Sequence, residues 1–227
     1  MNQSDEHREA VQVSVDVVLL TLVEQQLHAV LLRRQAAPFA GVWALPGGFI
    51  HTDEDADAKA SAARVLRTKV GIEGAYLEQL ATFSGPARDP RGWSVAIAYC
   101  ALLPVQNLPP DRADISVVPL STLPQLPFDH RAILDAALER VRSKSLYSSL
   151  PVHLCGETFT LPQLQQVYEN ILGEPLNKVS FRRKMDEMDW LEPVPGAMQG
   201  GGAHRPAQLY RAKPGFSQTL ALTARGL

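Results

Sequence analysis

The chain has 227 residues, a net charge of −2 and 45% apolar residues, enough for one large or two small globular domains. That balance excludes nucleic-acid binding through overall charge alone. Residues 1–10 lack the apolar core of a signal peptide. Residues 11–23, the most apolar stretch, carry Gln12, Ser14, Asp16 and Thr21, and are too short and too polar to span a bilayer. Cys100 and Cys155 have no metal-ligand spacing, so a reducing cytoplasm is expected.

In chain order, residues 11–23 read as a long strand rich in Val and Leu. Glu24, Gln25 and Gln26 turn the chain into a return strand over 27–33. Residues 42–45 lead into a Gly47-Gly48 turn. Residues 55–70 read as a helix with Ala58, Ala62, Val65 and Leu66 on one side. Strands follow over 77–84 and 93–103, then a Pro-containing loop over 104–113 and a short strand over Ile115–Pro119. Asp129 is placed to cap a helix from His130 to about Lys144. Residues 150–158 read as a linker. Thr160 and Gln163 form a capping box for a helix that carries Leu161, Leu164, Val167, Tyr168, Ile171 and Leu172 and stops at Gly173. Asn177 can cap a second helix over 178–190, with Phe181, Met185 and Met188 facing inward. A Gly-rich segment from Gln199 to Pro206 precedes a strand-like Gln208-Leu209-Tyr210-Arg211. Helix, turn, helix and Gly-rich hairpin is the order of a winged helix-turn-helix.

The chemistry concentrates between Gly48 and Ile72. Gly48, Arg64, Leu66, Gly71 and Ile72 keep the frame of the Nudix box, whose second half reads R-E-U-x-E-E-x-G-U with U aliphatic. In an active box the three Glu lie on one helix face and hold divalent cations against a pyrophosphate. Here Val65, Thr68 and Lys69 take their places, with Arg67 adding positive charge. Val65 cannot bind a metal and Lys69 repels one, so no catalytic or metal residue is assigned. The chain is expected to bind a nucleotide-like ligand without cleaving it. Counted from Gly48, the first Glu of the pattern falls on Glu54; counted back from Arg64 it falls on Ala56, so two extra residues lie between. Asp53, Glu54, Asp55 and Asp57 crowd that loop, either as a solvated helix start favoured by the helix dipole or as residual cation ligands.

In the second half, Ser180, Arg182, Arg183 and Lys184 begin the second helix, where helix-turn-helix proteins contact base edges and phosphates. His204, Arg205 and Arg211 belong to the wing. Against this stands a neutral domain, with seven Lys/Arg and seven Asp/Glu between Pro151 and Lys213. A solvated helix face, or a winged helix that binds protein, remains the alternative.

The combination resembles the NrtR family, Nudix-related transcriptional regulators of NAD metabolism. The resemblance rests on Pro38-Phe39, Trp43, Leu45-Pro46-Gly47-Gly48-Phe49, Arg88-Asp89-Pro90-Arg91-Gly92-Trp93, Phe128-Asp129-His130, Leu146-Tyr147, Phe159-Thr160-Leu161-Pro162, Ser180-Phe181-Arg182-Arg183 and Arg205-Pro206, and covers roughly residues 13–213. It implies an N-terminal Nudix-like α/β/α sandwich over 1–149 and a C-terminal winged helix-turn-helix over 150–227. It further implies a homodimeric repressor of NAD biosynthesis or salvage genes on a pseudo-palindromic operator, with ADP-ribose as effector rather than cofactor. For the ligand, Arg34 suits a phosphate or ribose oxygen, Gly47 and Gly48 allow close backbone approach, and Arg88 or Arg91 suits the pyrophosphate. Lys69 is a candidate for the lost metal charge. Trp93 or Phe128 suits adenine stacking, with core packing the alternative for Trp93, and Arg64 is expected to pair with a neighbouring carboxylate. An ADP-ribose pyrophosphatase with an appended interaction domain is the alternative activity; it needs the acidic loop to replace the helix carboxylates.

Overall fold

The computed structural model describes residues 11–200, 206–216 and 219–223. Its centre is a seven-stranded mixed sheet in the order β3-β2-β1-β6-β5. These are β1 (Gln12–Val23), β2 (Gln26–Arg33), β3 (Trp43–Ala44), β4 (Gly47–Phe49), β5 (Tyr76–Gly85), β6 (Ser94–Leu102) and β7 (Ile115–Pro119). β1 and β6 run parallel in the middle, while β4 and β7 add antiparallel pairings to β1 and β2. Apolar residues of β1 alternate between two cores. Val18 and Leu20 pack toward α2 (His130–Ser145); Val15, Val17 and Leu19 pack toward α1 (Ala58–Val65). A strand buried on both faces reads as a continuous apolar run, which is why β1 was so visible in the sequence. The layers are helix, sheet, helix, as expected.

Several expectations change in detail. Gly47 and Gly48 do not form a turn; they are β4, paired with Asp16 and Val15. The helix read over 55–70 begins later, at Ala58, because the Asp57 carboxylate caps it by accepting from Ala60 N at 2.7 Å. Its second half, Leu66–Val70, widens into a π-helix that ends at Gly71 with φ +85°. Asp129 stands at the start of α2, yet its side chain caps nothing there. Residues 150–158 are no exposed linker: Leu150–Leu154 is a 3-10 helix whose Leu150 and Leu154 join the core on the α2 side.

The C-terminal part follows the sequence closely. β8 (Phe159–Thr160) leads into α3 (Leu161–Leu172), closed by the full Thr160–Gln163 capping box and by Gly173 at φ +78°. Asn177 caps α4 (Lys178–Glu187), accepting from Val179 N and Ser180 N. α4 ends short of the expected Trp190, because Asp189 turns left-handed and Trp190 drops into the core. β9 (Leu191–Gln199), not foreseen, pairs with β10 (Ala207–Ala212), and β10 pairs with β8. Phe181 and Met185 of α4, Leu164 and Tyr168 of α3 and Trp190 share one core, with Met188 against its edge.

This unit is fused to the sheet. Tyr168 donates its hydroxyl to Ser148 O at 2.8 Å, His153 stacks on Tyr76 at 4.2 Å between centroids, and Ile171 enters the core beneath α2. No helix among the described residues is long and apolar enough to cross a membrane. Tyr168→Phe is expected to leave the buried Ser148 carbonyl unsatisfied and cost about 1–3 kcal/mol. Urea unfolding followed by both far-UV circular dichroism and tryptophan fluorescence measures this; an unchanged midpoint would show that the hydrogen bond does not contribute.

Candidate functional site

One candidate site surrounds β4, where two kinds of interaction converge. The first kind holds β4 in place. Arg64 spans from α1 to the acidic loop: Nε donates to Asp55 Oδ1 and Nη2 to Oδ2, both at 2.7 Å, and Nη2 also donates to Phe49 O at 2.9 Å. This charge-assisted fork holds the Asp55 carboxyl well below the usual carboxylate range. Arg64 therefore pairs with a carboxylate, as expected of it, and Asp57 is spent on the helix cap. Asp53 and Glu54 stay exposed, with Glu54 bonded to His51.

The second kind is a buried network on the α2 side. Arg88 donates to both Asp129 oxygens, at 2.9 and 2.8 Å, to Ser94 Oγ at 3.2 Å and to Asp16 Oδ2 at 3.3 Å. Asp129 is thus diverted from helix capping to Arg88. His130 accepts from Leu45 N at 3.1 Å through Nδ1, and its Nε2 lies 3.7 Å from Asp16 Oδ1. Burial lowers the His130 pKa and keeps the ring neutral. Asp16 in turn presses on β4: a β-carbon at Gly47 would lie 2.3 Å from Asp16 Oδ1. Only glycine fits there.

On the opposite side of β4, a β-carbon at Gly48 would lie 3.3 Å from Val65 Cγ2 and 3.2 Å from Lys69 Nζ. Lys69 Nζ donates to Gly47 O at 2.5 Å. Thr68 turns its hydroxyl back onto Arg64 O at 2.8 Å. The three positions that would carry Glu thus present a buried methyl group, a hydroxyl bonded to its own helix and an ammonium group. Among the described residues, no three His, Cys, Asp or Glu are grouped to hold a metal ion.

Cations and aromatic rings line the open side. Arg34 lies 4.8 Å from the Phe128 ring centre and donates to Pro38 O at 2.8 Å. Phe39 meets Phe128 edge-on at 4.9 Å, and both residues hold left-handed backbone, at φ +64° and +55°. Arg91 lies 5.1 Å from the Phe49 ring centre while paired with Asp89 at 2.6 Å. Trp93 is 44% exposed, so core packing does not explain it. The structure brings Arg34, Gly47, Gly48, Lys69, Arg91 and Phe128 around β4, with Trp93 at the start of β6. Arg88 lies beneath them with four of its five N–H donors on protein groups. Phe39, Asp16 and Asp129 were not assigned to this site from sequence; the signals were the motifs Pro38-Phe39 and Phe128-Asp129-His130 and a lone carboxylate, Asp16, in an apolar strand.

A second candidate site is the start of α4. Ser180, Arg182 and Arg183 are exposed there; Arg183 lies 3.6 Å from Glu187, and Arg182 forms no ion pair with another described residue. Lys184 is half-buried. Val179, not foreseen, is 77% exposed. Arg211 on β10 pairs across the ladder with Glu192 at 2.6 Å. His204 and Arg205 lie outside the described residues.

Comparison with known proteins yields two domain families. The NrtR DNA-binding winged helix domain matches residues 151–212, and the NUDIX domain matches residues 11–140. The ADPR responsive transcriptional repressor NtrR of Acinetobacter baylyi is 39% identical over 203 residues, 87% of this chain and 80% of its own length. The crystal structure of Shewanella oneidensis NrtR complexed with a 27mer DNA is 38% identical, with TM-score 0.88, and the match covers 95% of this chain and 99% of that one. The NUDIX domain of the same Shewanella protein complexed with ADP ribose matches at TM-score 0.54 and 37% identity, over 61% of this chain and 94% of that one.

Arg88→Ala is expected to destabilise the fold by about 3–5 kcal/mol, because it strands the buried Asp16 and the half-buried Asp129 carboxylate. Adding Asp129→Asn to the same chain is expected to recover part of the loss. Denaturant midpoints of the single and double variants measure both, and an Arg88→Ala chain of wild-type stability would reduce the network to a surface feature.

Proposed function

The chain belongs to the NrtR family, and from that premise we propose that it is a DNA-binding transcriptional repressor of NAD biosynthesis or salvage genes, released from its operator by ADP-ribose or a related NAD metabolite. In this reading residues 1–149 bind the effector and residues 150–227 bind DNA. The observation that carries it is the joint presence, in one chain, of a winged helix with an exposed Arg182 and a Nudix fold whose box offers no carboxylate at positions 65, 68 and 69.

The residues do not fit the divalent cation that a Nudix hydrolase uses. Hard cations need several oxygen ligands. The box helix supplies none, Asp55 is held by Arg64 and Asp57 caps α1. The chain is accordingly a sensor of its ligand rather than a hydrolase. Arg34 and Arg91 supply charge for the pyrophosphate, β4 lets the ligand approach the backbone, and Phe128 or Trp93 offers a face for adenine. Arg88 acts beneath them as a positioning residue.

On DNA, α4 enters the major groove with Ser180, Arg182, Arg183 and Lys184 toward bases and phosphates, flanked by His204, Arg205 and Arg211 from the wing. Two copies related by twofold symmetry read a pseudo-palindrome with half-sites about 34–36 Å apart. Val179 projects from the first turn of α4 and suits the 5-methyl group of a thymine.

Two measurements test this. Titrating ADP-ribose into a gel shift with DNA from upstream of NAD-biosynthesis genes is expected to release the DNA with no AMP formed. AMP production without any DNA shift would make the chain a pyrophosphatase. On the same operator, Arg182→Ala is expected to weaken binding by about 1–3 kcal/mol. Replacing one contacted thymine by deoxyuridine is expected to weaken the wild type but not Val179→Ala. Equal loss in both chains would remove Val179 from the base contact.

A further inference from the structure

We propose that the Lys69 ammonium occupies the place of the divalent cation in the Nudix site and binds the effector's pyrophosphate as a fixed charge, so that ligand binding requires no metal. This deepens the effector reading above and rests on it.

Geometry carries the inference. Val65 and Lys69 are four residues apart on one helix face, and both reach Gly48, the residue that opens the box. Val65 is fully buried against β4 and closes the inner end of that face. Lys69 crosses over it, so that its ammonium meets the Gly47 carbonyl. An ammonium has three N–H donors. One is used on Gly47 O, which leaves two for phosphate oxygens arriving at β4.

The surroundings are cationic. Burial of the ammonium depresses the Lys69 pKa, although the residue as a whole keeps exposed surface; the charges of Arg34 and Arg64 lower it further, against an opposing effect of Asp16. Burial lowers the Arg34 pKa too, with Arg91 adding to the effect and Asp89 and Asp16 opposing it. Groups whose charged forms are disfavoured by burial and by neighbouring cations are stabilised by the added negative charge of a pyrophosphate. The nearby carboxylates offset this only from a distance, since each is bonded to another group. Asp16 faces Arg88 and His130, Asp55 is forked onto Arg64, and Asp89 is forked onto Arg91. A divalent cation approaching β4 would meet an ammonium group instead of oxygen ligands.

Isothermal titration of ADP-ribose into the full chain tests this, first in EDTA and then with excess Mg2+. The expected result is the same affinity in both buffers, about 10- to 100-fold weaker binding by Lys69→Met in each, as expected for loss of a charged hydrogen bond, and retention of most affinity by Lys69→Arg. Thermal melts of the free variants check folding, and if Lys69→Met fails to fold, Lys69→Gln takes its place. A wild-type chain that binds only with Mg2+ would overturn the inference, as would Lys69→Met binding like the wild type. Absence of binding by the wild type in both buffers would overturn the effector reading itself, and this inference with it.

Discussion

The structure depends on one buried cation. Arg88 comes from the loop before β6, Asp16 from the centre of β1 and Asp129 from the start of α2, and their charged groups meet within 3.3 Å. Burying charge is costly unless partners and hydrogen bonds replace water. Arg88 meets that condition with four donor contacts, and the neutral His130 ring extends the network to Leu45 N. The consequence reaches β4. Asp16, held by Arg88, fills the space where a side chain at position 47 would stand. The open approach to the backbone of β4 is therefore set from below, by groups that need never touch a ligand.

The Nudix frame separates into two classes of residue. Gly48, Arg64, Leu66, Gly71 and Ile72 all have tasks within the protein. Gly48 admits Val65 and Lys69, Arg64 ties α1 to the acidic loop and to Phe49 O, Leu66 and Ile72 enter the core on the α1 side, and Gly71 takes the left-handed turn. The three positions where the box carries glutamate hold other groups here: Val65 is buried in the core, Thr68 bonds Arg64 O and Lys69 bonds Gly47 O. A box can therefore keep its shape after its cation ligands are gone, since the shape depends on Arg64 and the glycines.

Much of this was legible in the sequence. Both cores of the sandwich follow from the apolar runs of β1, β2 and β6, and α3 from a capping box and a closing glycine. The family's matches agree with the resemblance read from the short motifs. What sequence missed has physical causes. β9 carries Pro193, Pro195 and Gly196, which argue against a strand, yet it pairs with β10 through a bulged ladder in a small sheet. Residues 150–158 carry polar and Gly signals of a linker, but Leu150 and Leu154 are buried by contact with distant elements, which local pattern cannot report. Asp129 has the right residue type and position for a helix cap; a long-range partner, Arg88, outcompetes the local one. The exposure of Trp93 and Val179 likewise depends on what does not pack against them.

One element runs from the first candidate site to α3, which packs against α4 through Tyr168 and Phe181. α2 begins at the Arg88 network and ends where Ser148 O receives the Tyr168 hydroxyl of α3. Its 16 residues make a rod of about 24 Å. The C-terminal unit is bound into the core beside this rod by Ile171, Leu150 and Leu154 and to β5 by the His153–Tyr76 stack, and residue 221 closes against Ser149 through two hydrogen bonds. Swinging α4 away from the sheet within one chain would expose that apolar surface at about 25 cal/mol per Å2 and strand the Tyr168 and Ser149 hydrogen bonds. A ligand can shift an equilibrium only by its differential affinity for the two states. On these grounds, a swing of α4 against the sheet within one chain is opposed by the same contacts that build its core.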